Sequence, residues 1–160
     1  MEVMTDRDSL TVSLGMAQTE ELPKILALVE TCGLPKEGLA DHLSTILVAR
    51  KGKQIVGCAG LELYQDYALL RSVAVDPSFR HRGIGQRLVR ASLDLAKLHQ
   101  VTNLYLLTET ASEFFFKLGF RNTLRSDVPQ KAQGSIEFTT LCPDTPLVMS
   151  FTVRKRMDDA

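Results

Sequence analysis

The chain has 160 residues, of which 44% are apolar and 24% charged, and we expect one globular domain over 1–160 with a core from about 10 to 153. Its 19 basic and 19 acidic side chains cancel, which argues against a nucleic-acid binder, because that binding needs excess Lys and Arg. The sequence shows no long apolar run, no secretory signal, no close cysteine pair and no spacing typical of metal ligands, so we expect a cytoplasmic protein without a membrane span, disulfide framework or metal.

The first elements alternate between strand and helix periodicity. Alternating apolar residues over Val12–Met16 predict a half-buried strand. Thr19 is then expected to cap a helix that ends at Gly33, and Lys36–Leu43 is expected to form a short helix. These elements lead into the central part of the chain.

Three strands are predicted next, joined by short turns. They cover Ile46–Arg50, Gln54–Tyr64 and Tyr67–Val75. Links this short are typical of an antiparallel meander. Asp76-Pro77 ends the third of these strands.

The pattern then changes to helical spacing from Ile84 onwards. The strands that flank this long helix should be parallel, since a crossover connection joins them. The later predictions are a strand, two helices and a last strand, at Asn103–Leu107, Thr110–Leu118, Pro129–Thr140 and Leu147–Val153.

The segment between the meander and the long helix is the most informative. It contains Arg80, Gly83 and Gly85 just before the helix starts. The first N–H groups of a helix lack internal partners and favour anions, so the loop can hold a diphosphate mainly through its main chain, with Arg80 or Arg82 adding charge. A Walker loop is excluded because no Gly-Lys-Ser/Thr follows, and a dinucleotide fingerprint is excluded because Leu88 stands at its third glycine. A basic helix start with two packing glycines remains the alternative.

Two motifs resemble those of the GNAT N-acetyltransferases. Ser72-Val-Ala-Val-Asp-Pro77 followed by Arg80-x-x-Gly83-x-Gly85 is similar to the acetyl-CoA motif of this superfamily. Ala111-Ser-Glu-Phe-Phe-Phe-Lys-Leu-Gly-Phe120 resembles its second motif. The resemblance covers about Leu10 to Phe120. It implies an α/β fold with a mixed, mostly antiparallel sheet, a V-shaped split between the fourth and fifth strands, and helices on both faces.

The resemblance also implies acetyl-CoA as the cosubstrate. The pantetheine arm would pair with the main chain of Val73 and Val75. Phe114, Phe115 and Phe116 are expected mostly in the core, with one ring, that of Phe115, against the pantetheine. The Val73 N–H would polarise the thioester carbonyl. The diphosphate would lie on Arg80, His81, Arg82, Gly83, Ile84, Gly85 and Gln86.

A narrower likeness extends into the C-terminal third. The segments that start at Thr108, Asp127 and Glu137, the last of which includes Cys142, resemble the arsenic-resistance-associated branch of GNAT enzymes. That branch is similar to amino-acid N-acetyltransferases of the acetylglutamate-forming type. We therefore expect Glu137 and Cys142 near the acceptor, and Thr108 near the acceptor or the cofactor arm. For Cys142, a buried structural thiol is the commoner fate of a lone cysteine.

The sequence departs from the superfamily at its usual proton-transfer groups. Phe115 stands where many members have a tyrosine acid, and Leu69 stands where many have a glutamate base. Near neutral pH, a thiol with a pKa of ~8.5 leaves as a thiolate with little help. An α-amine with a pKa of ~7.8 is partly neutral there, whereas deprotonating a lysine amine with a pKa of ~10.4 costs about 4 kcal/mol. The sequence therefore favours an α-amino acceptor.

Two charged residues remain as candidates for the acceptor site. Arg71 is predicted to clamp a carboxylate or similar oxyanion, unless it only extends from a strand face. Glu62 is predicted to act as general base through a water, with a surface or ion-paired role left open. The predicted function is acetyl transfer to the amine of a small amino acid, or of an arsenic or phosphorus analogue. A non-catalytic CoA sensor, a peptide acetyltransferase and a homodimer remain open.

Overall fold

The computed structural model describes residues 11–133 and 147–153 of the chain. In these ranges the strands are β1 (Ser13–Met16), β2 (Ile46–Lys51), β3 (Gln54–Leu63), β4 (Tyr67–Val75), β5 (Asn103–Thr108), β6 (Arg121–Asn122) and β7 (Leu147–Thr152). The α-helices are α1 (Leu22–Thr31), α2 (Ile84–Leu98), α3 (Ser112–Lys117) and α4 (Gln130–Gln133). Short 3₁₀ segments cover Thr19–Glu21, Leu39–Thr45, Pro77–Phe79 and Arg125–Asp127. None of these described helices is long and apolar enough to cross a membrane.

The described strands form a seven-stranded sheet in the order β1-β2-β3-β4-β5-β7-β6. The pairs β1–β2, β2–β3, β5–β7 and β6–β7 are antiparallel, whereas β4 and β5 are parallel. The ladder between β4 and β5 ends at the pair Leu69↔Tyr105, although both strands continue. The mixed, mostly antiparallel sheet is confirmed, and the V-shaped split beyond Leu69 stays a prediction.

Contacts within the chain divide the described residues into two compact units. The first unit comprises 11–60 and 72–91, and the second comprises 61–71, 92–133 and 147–153. Strands β3 and β4 and helix α2 each contribute residues to both units. Each unit has its own apolar cluster, and the single domain over 1–160 stays a prediction.

The core of the first unit lies where α1 packs on the strands. Helix α1 contributes Ile25, Leu28 and Val29, which recur at helical spacing and are buried. The other buried members of this cluster are Leu39, Ile46, Val48, Ile55, Cys58 and Ala74. Full burial of a large apolar side chain contributes about 1.5–3 kcal/mol. The cluster therefore holds firmly the strands from which the loop after β4 departs.

The start of α2 packs on the other face of the same strands. A Cβ added to Gly57 would lie 2.9 Å from Leu88 Cδ1 and 3.3 Å from Ile84 Cγ2. The next residue, Cys58, belongs to the α1 cluster, and consecutive strand residues point to opposite faces. Helices therefore cover both faces of the strands in the first unit, as predicted.

The core cluster of the second unit consists of aliphatic side chains with tyrosine rings around them. Leu69 is buried with Val128, Ala132 and Val148, and tyrosines pack against this cluster. Tyr64 stacks on Tyr67 with ring centroids 5.2 Å apart. Tyr64 and Leu69 each lie two residues along the chain from Glu62 on β3 and Arg71 on β4, respectively.

The beginning of the first helix differs from the sequence prediction. The chain enters α1 through a 3₁₀ turn, and the Gln18 N–H donates to Glu21 Oε1 at 2.7 Å. Gln18 therefore takes the cap position that we predicted for Thr19. We predicted Thr19 because threonine is a common cap residue. The prediction was wrong because the hydrogen bond that closes this turn joins the Gln18 N–H to the Glu21 carboxylate.

Three other boundaries also differ. The helix predicted over Lys36–Leu43 is a 3₁₀ segment at Leu39–Thr45. The helix predicted over Thr110–Leu118 is shorter at each end, and the two-residue strand β6 was not predicted. The helix predicted from Pro129 to Thr140 is present as α4, and the part after Gln133 lies outside the described residues.

Gly119 provides a test of packing in the second unit. Its φ is 106°, and an added Cβ would lie 2.8 Å from Phe151 Cε2. We expect Gly119→Ala to lower the free energy of unfolding by about 2–3 kcal/mol, because backbone strain adds to the clash. Gly52→Ala is the matched control, since Gly52 has a φ of 61° but no atom within 4 Å of the Cβ position. Its loss should be about 1 kcal/mol in urea denaturation, and equal losses would argue against the clash.

Candidate active site

The turn after β4 presents the predicted diphosphate loop on a well-anchored backbone. Asp76 Oδ1 accepts a hydrogen bond from the Ser78 N–H at 2.8 Å, and the Asp76 N–H donates to the Val56 carbonyl at 2.8 Å. His81 and Gly83 then adopt left-handed conformations with φ of 66° and 80°. A Cβ on Gly83 would meet no atom within 4 Å, so the surface above this residue is open.

Helix α2 begins directly after this loop. Its first helical hydrogen bond runs from the Arg87 N–H to the Gly83 carbonyl at 3.1 Å. The N–H groups of Ile84, Gly85 and Gln86 precede that bond and have no carbonyl partner within the helix. The helix dipole adds partial positive charge at this end. These amides can bind a diphosphate, which is the chemistry predicted for the loop.

Protein groups hold both arginines of the loop. Arg80 Nε donates to the Val75 carbonyl at 3.1 Å, and Arg80 Nη2 donates to Cys32 Sγ at 3.5 Å. The Cys32 thiol donates to the same Val75 carbonyl at 3.5 Å. Arg82 lies over the Phe79 ring, with Cζ 5.0 Å from the centroid. The arginines thus brace the loop, and their contact with phosphate stays a prediction.

The last part of β4 contains a strained backbone position. Ser72 is buried and has a φ of 58°, which is uncommon for a residue other than glycine and costs about 1–3 kcal/mol. The Cys58 thiol donates to the Ser72 carbonyl at 3.3 Å and so supports this conformation. The irregularity comes directly before Val73, whose N–H is predicted to polarise the thioester. Val73 and Val75 are half-buried, whereas Ala74 between them is buried.

The second unit holds a buried ion pair between two predicted site residues. Arg71 Nη1 donates to Glu62 Oε2 at 2.8 Å, and their side chains are only 0% and 4% exposed. The Tyr64 hydroxyl donates to the other carboxylate oxygen, Glu62 Oε1, at 2.9 Å. Each oxygen of the Glu62 carboxylate therefore accepts a strong donor.

This arrangement joins the predicted clamp to the predicted base. The ion-paired role that the sequence left open for Glu62 is present, and Arg71 does not extend into solvent. Tyr64 was missed by the sequence analysis, although a signal was available. Glu62 and Tyr64 are two residues apart at the end of one strand, where alternate residues share a face. The roles of Glu62 as general base and of Arg71 as carboxylate clamp stay predictions.

The remaining predicted residues have separate environments. Thr108 Oγ1 accepts the Ala111 N–H at 3.0 Å, so its hydroxyl holds the turn before α3. Phe115 is buried and packs edge-on against Phe120 at 5.5 Å. Glu137 and Cys142 lie outside the described residues. Across 11–133 and 147–153, no three His, Cys, Asp or Glu side chains are grouped to hold a metal.

The buried ion pair can be tested by a double-mutant cycle. Glu62→Gln should lower the free energy of unfolding by about 3–5 kcal/mol, because it leaves the Arg71 charge buried without a counter-ion. The double variant Glu62→Gln/Arg71→Met should lose less than the sum of the single losses. The exposed pair of Lys36 with Glu30 is the control, and Glu30→Gln should cost at most about 1 kcal/mol. Additive losses at Glu62 and Arg71 in urea denaturation would contradict the pairing.

Cys58 makes stability depend on pH. Burial, followed by the nearby Cys32, raises the pKa of the Cys58 thiol from 9.0 to about 12. The unfolded chain releases this proton near pH 9 while the folded chain keeps it, so stability is lost as pH rises from about 9 to about 12. The Cys58 contribution to this loss should approach ~1.4 kcal/mol per pH unit. It should be absent in Cys58→Ala, which keeps only the smaller slope of other groups such as Tyr105, whose pKa burial also raises. Equal pH slopes for the two proteins in urea denaturation would refute this.

Known proteins are similar to this chain in sequence and in fold. The model of the acetyltransferase (GNAT) domain matches residues 42–122. An amino-acid acetyltransferase of Neisseria meningitidis is 27% identical over 128 residues, which are 74% of this chain and 29% of that protein. The chain thus spans less than a third of the length of this relative. An amino-acid acetyltransferase of Mycobacterium tuberculosis is 34% identical over 116 residues, which cover 65% of each chain.

Two solved structures have a fold similar to that of this chain. The N-acetylglutamate synthase of Neisseria gonorrhoeae, complexed with coenzyme A and N-acetyl-glutamate, has a TM-score of 0.80 at 21% identity, over 91% of this chain and 36% of that chain. A Mycobacterium tuberculosis protein in complex with CoA has a TM-score of 0.74 at 26% identity, over 88% of this chain and 98% of that chain. Since the domain model covers half of the sequence and the fold agrees, the chain belongs to the acetyltransferase (GNAT) domain family.

Proposed function

We propose that the chain is an acetyl-CoA-dependent N-acetyltransferase that acts on a small amino acid. The observation that carries this proposal is the exposed loop 80–83 at the start of α2, where the amides of Ile84, Gly85 and Gln86 precede the first helical hydrogen bond. The absence of any atom near the Gly83 Cβ position leaves room for a phosphate. Membership of the GNAT family and the CoA complex of the mycobacterial relative support the choice of acetyl-CoA.

The main chain of β4 would hold the pantetheine arm. The Val75 carbonyl already accepts hydrogen bonds from Arg80 and Cys32, and a carbonyl oxygen has two lone pairs. Val75 would therefore use its N–H for the cofactor. The Val73 N–H, which follows the irregularity at Ser72, would donate to the thioester oxygen as negative charge develops there.

In the reaction, the neutral amine attacks the thioester carbonyl carbon. A C–N bond forms, the C–S bond breaks, and CoA leaves as a thiolate. With a thiol pKa of ~8.5, this leaving group needs no strong acid. That agrees with Phe115 and Leu69, which stand at the usual acid and base positions and are buried apolar residues. The amine proton would pass to Glu62 through a water.

The acceptor would be an α-amino acid with an acidic side chain or an analogue of one. The names of the relatives, amino-acid acetyltransferases, support this class. Arg71 would contribute positive charge for the acceptor carboxylate while its Nη1 stays bonded to Glu62. Thr108, Glu137 and Cys142 are proposed to contact the acceptor. Arsenic and phosphorus analogues, a cytoplasmic location and a homodimer remain parts of this proposal.

A CoA-binding sensor without catalysis is the second candidate. It is favoured by one specific observation, the burial of apolar Phe115 and Leu69 where proton-transfer groups are usual. A sensor would bind CoA and release no thiol with any amine.

Thiol release from acetyl-CoA distinguishes these functions. The panel holds the amino acids, phosphinate and arsenic analogues of glutamate, and a lysine peptide. We expect release with an acidic amino acid or an analogue, and little release with the peptide amine. Arg71→Ala should lower kcat/KM for the acceptor by about 10- to 100-fold, because a charged hydrogen-bond donor is lost.

Arg90→Ala is the matched control, since Arg90 is exposed on α2 and outside the proposed site. Calorimetric binding of CoA to each variant shows that it is folded. No release with any amine while CoA still binds would favour the sensor. Faster turnover of the lysine peptide than of free amino acids would overturn the proposed acceptor class.

A further inference from the structure

A second cation stands beside the diphosphate loop on the same aromatic ring as Arg82. Lys51, at the end of β2, has its Nζ 5.4 Å from the centroid of Phe79, and Arg82 Cζ lies 5.0 Å from that centroid. Phe79 itself is buried, with 8% of its surface exposed, in the 3₁₀ turn that leads into the loop. The ring therefore has two positive charges near it, next to the first residues of α2.

These two charges are close and lack an acidic partner in the described residues. Both distances refer to one centroid, so the charges lie within about one Debye length at 0.1 M salt, ~10 Å, and repel each other. Glu30, Glu21 and Glu62 are each paired with other cations. In 72–91 the acidic residue is Asp76, and Ser78 donates to its carboxylate. A local excess of positive charge in a chain with zero net charge is suited to an anionic ligand.

The chemistry of CoA suggests which anion this is. CoA carries a diphosphate and, separately, a phosphomonoester on its ribose. The amides at the start of α2 account for the diphosphate, and Arg80 is tied to Val75 and Cys32. Lys51 and Arg82 are then available for the monoester. A phosphate monoester carries nearly two negative charges at neutral pH, and an ammonium beside a planar guanidinium provides both a point charge and a bidentate donor.

We propose that Lys51, together with Arg82, binds the 3′-phosphate of CoA and so makes the protein select CoA over dephospho-CoA. This inference rests on the proposed function, because it places a second contact of the same cosubstrate. It assigns a ligand-binding role to Lys51, which lies 29 residues before the loop motif starts at Arg80.

The test compares the affinities of CoA and dephospho-CoA by calorimetry. The wild-type protein should bind CoA about 10- to 100-fold more tightly, since charged hydrogen bonds to the monoester are lost with dephospho-CoA. Lys51→Met should reduce this ratio about 10-fold while the affinity for dephospho-CoA is unchanged. Lys51→Arg should keep most of the preference, and added salt should weaken it.

Lys53→Met is the matched control. Lys53 lies in the same turn, its side chain is exposed, and its carbonyl, which the substitution retains, accepts from Lys24 Nζ at 3.4 Å. The ratio should not change in this variant. Equal affinities of the wild type for the two ligands, or an equal loss of both in Lys51→Met, would overturn the inference and leave the proposed function intact. Failure of the wild type to bind either ligand would refute the proposed function and this inference with it.

Discussion

The backbone of β4 between Ser72 and Val75 is the constraint on which the proposed site depends. A buried serine in a left-handed conformation is costly inside a strand, and the Cys58 thiol donates to its carbonyl. At the other end of the segment, Arg80 and Cys32 both donate to the Val75 carbonyl. The strand is thus held at both ends. In the proposed reaction this pre-organises main-chain N–H groups for the thioester and the pantetheine arm, so that little reorganisation is needed when the charge develops.

The positive charges of the arginine and lysine side chains discussed above are compensated differently in the two units. In the first unit, cations gather around the loop on the Phe79 ring and the Val75 carbonyl, where anionic phosphate groups would compensate them. In the second unit, the Arg71 charge is compensated internally by Glu62, with Tyr64 on the remaining carboxylate oxygen. A buried pair of this kind adds little net stability, but removing one partner is expensive. A role of this pair in specificity belongs to the acceptor site proposed for Arg71.

Phe115 and Leu69, which the resemblance places at the usual proton-transfer positions, would limit the chemistry of the proposed enzyme. Phe115 packs among aromatic rings and Leu69 lies at 0% exposure in the core of the second unit. Neither can move a proton, so the rate would depend on holding a neutral amine against a polarised thioester. An α-amine is partly neutral near pH 7, whereas a lysine amine is not. The proposed choice of an α-amino acceptor thus follows from the lack of a proton-transfer group at Phe115 and Leu69.

The sequence by itself determined most of the strands and helices and the loop before α2, because these depend on local periodicity and on residues close in the chain. The meander, the long helix after Gly83 and the parallel pair of β4 with β5 all follow from such patterns. The tertiary structure alone decided the contacts between distant residues. Cys32 meets Val75 across 43 positions, and Lys51 reaches the Phe79 ring. Arg71 and Glu62 were each foreseen as functional, but their mutual bond depends on how two antiparallel strands align, and strand register is set by packing of the whole sheet.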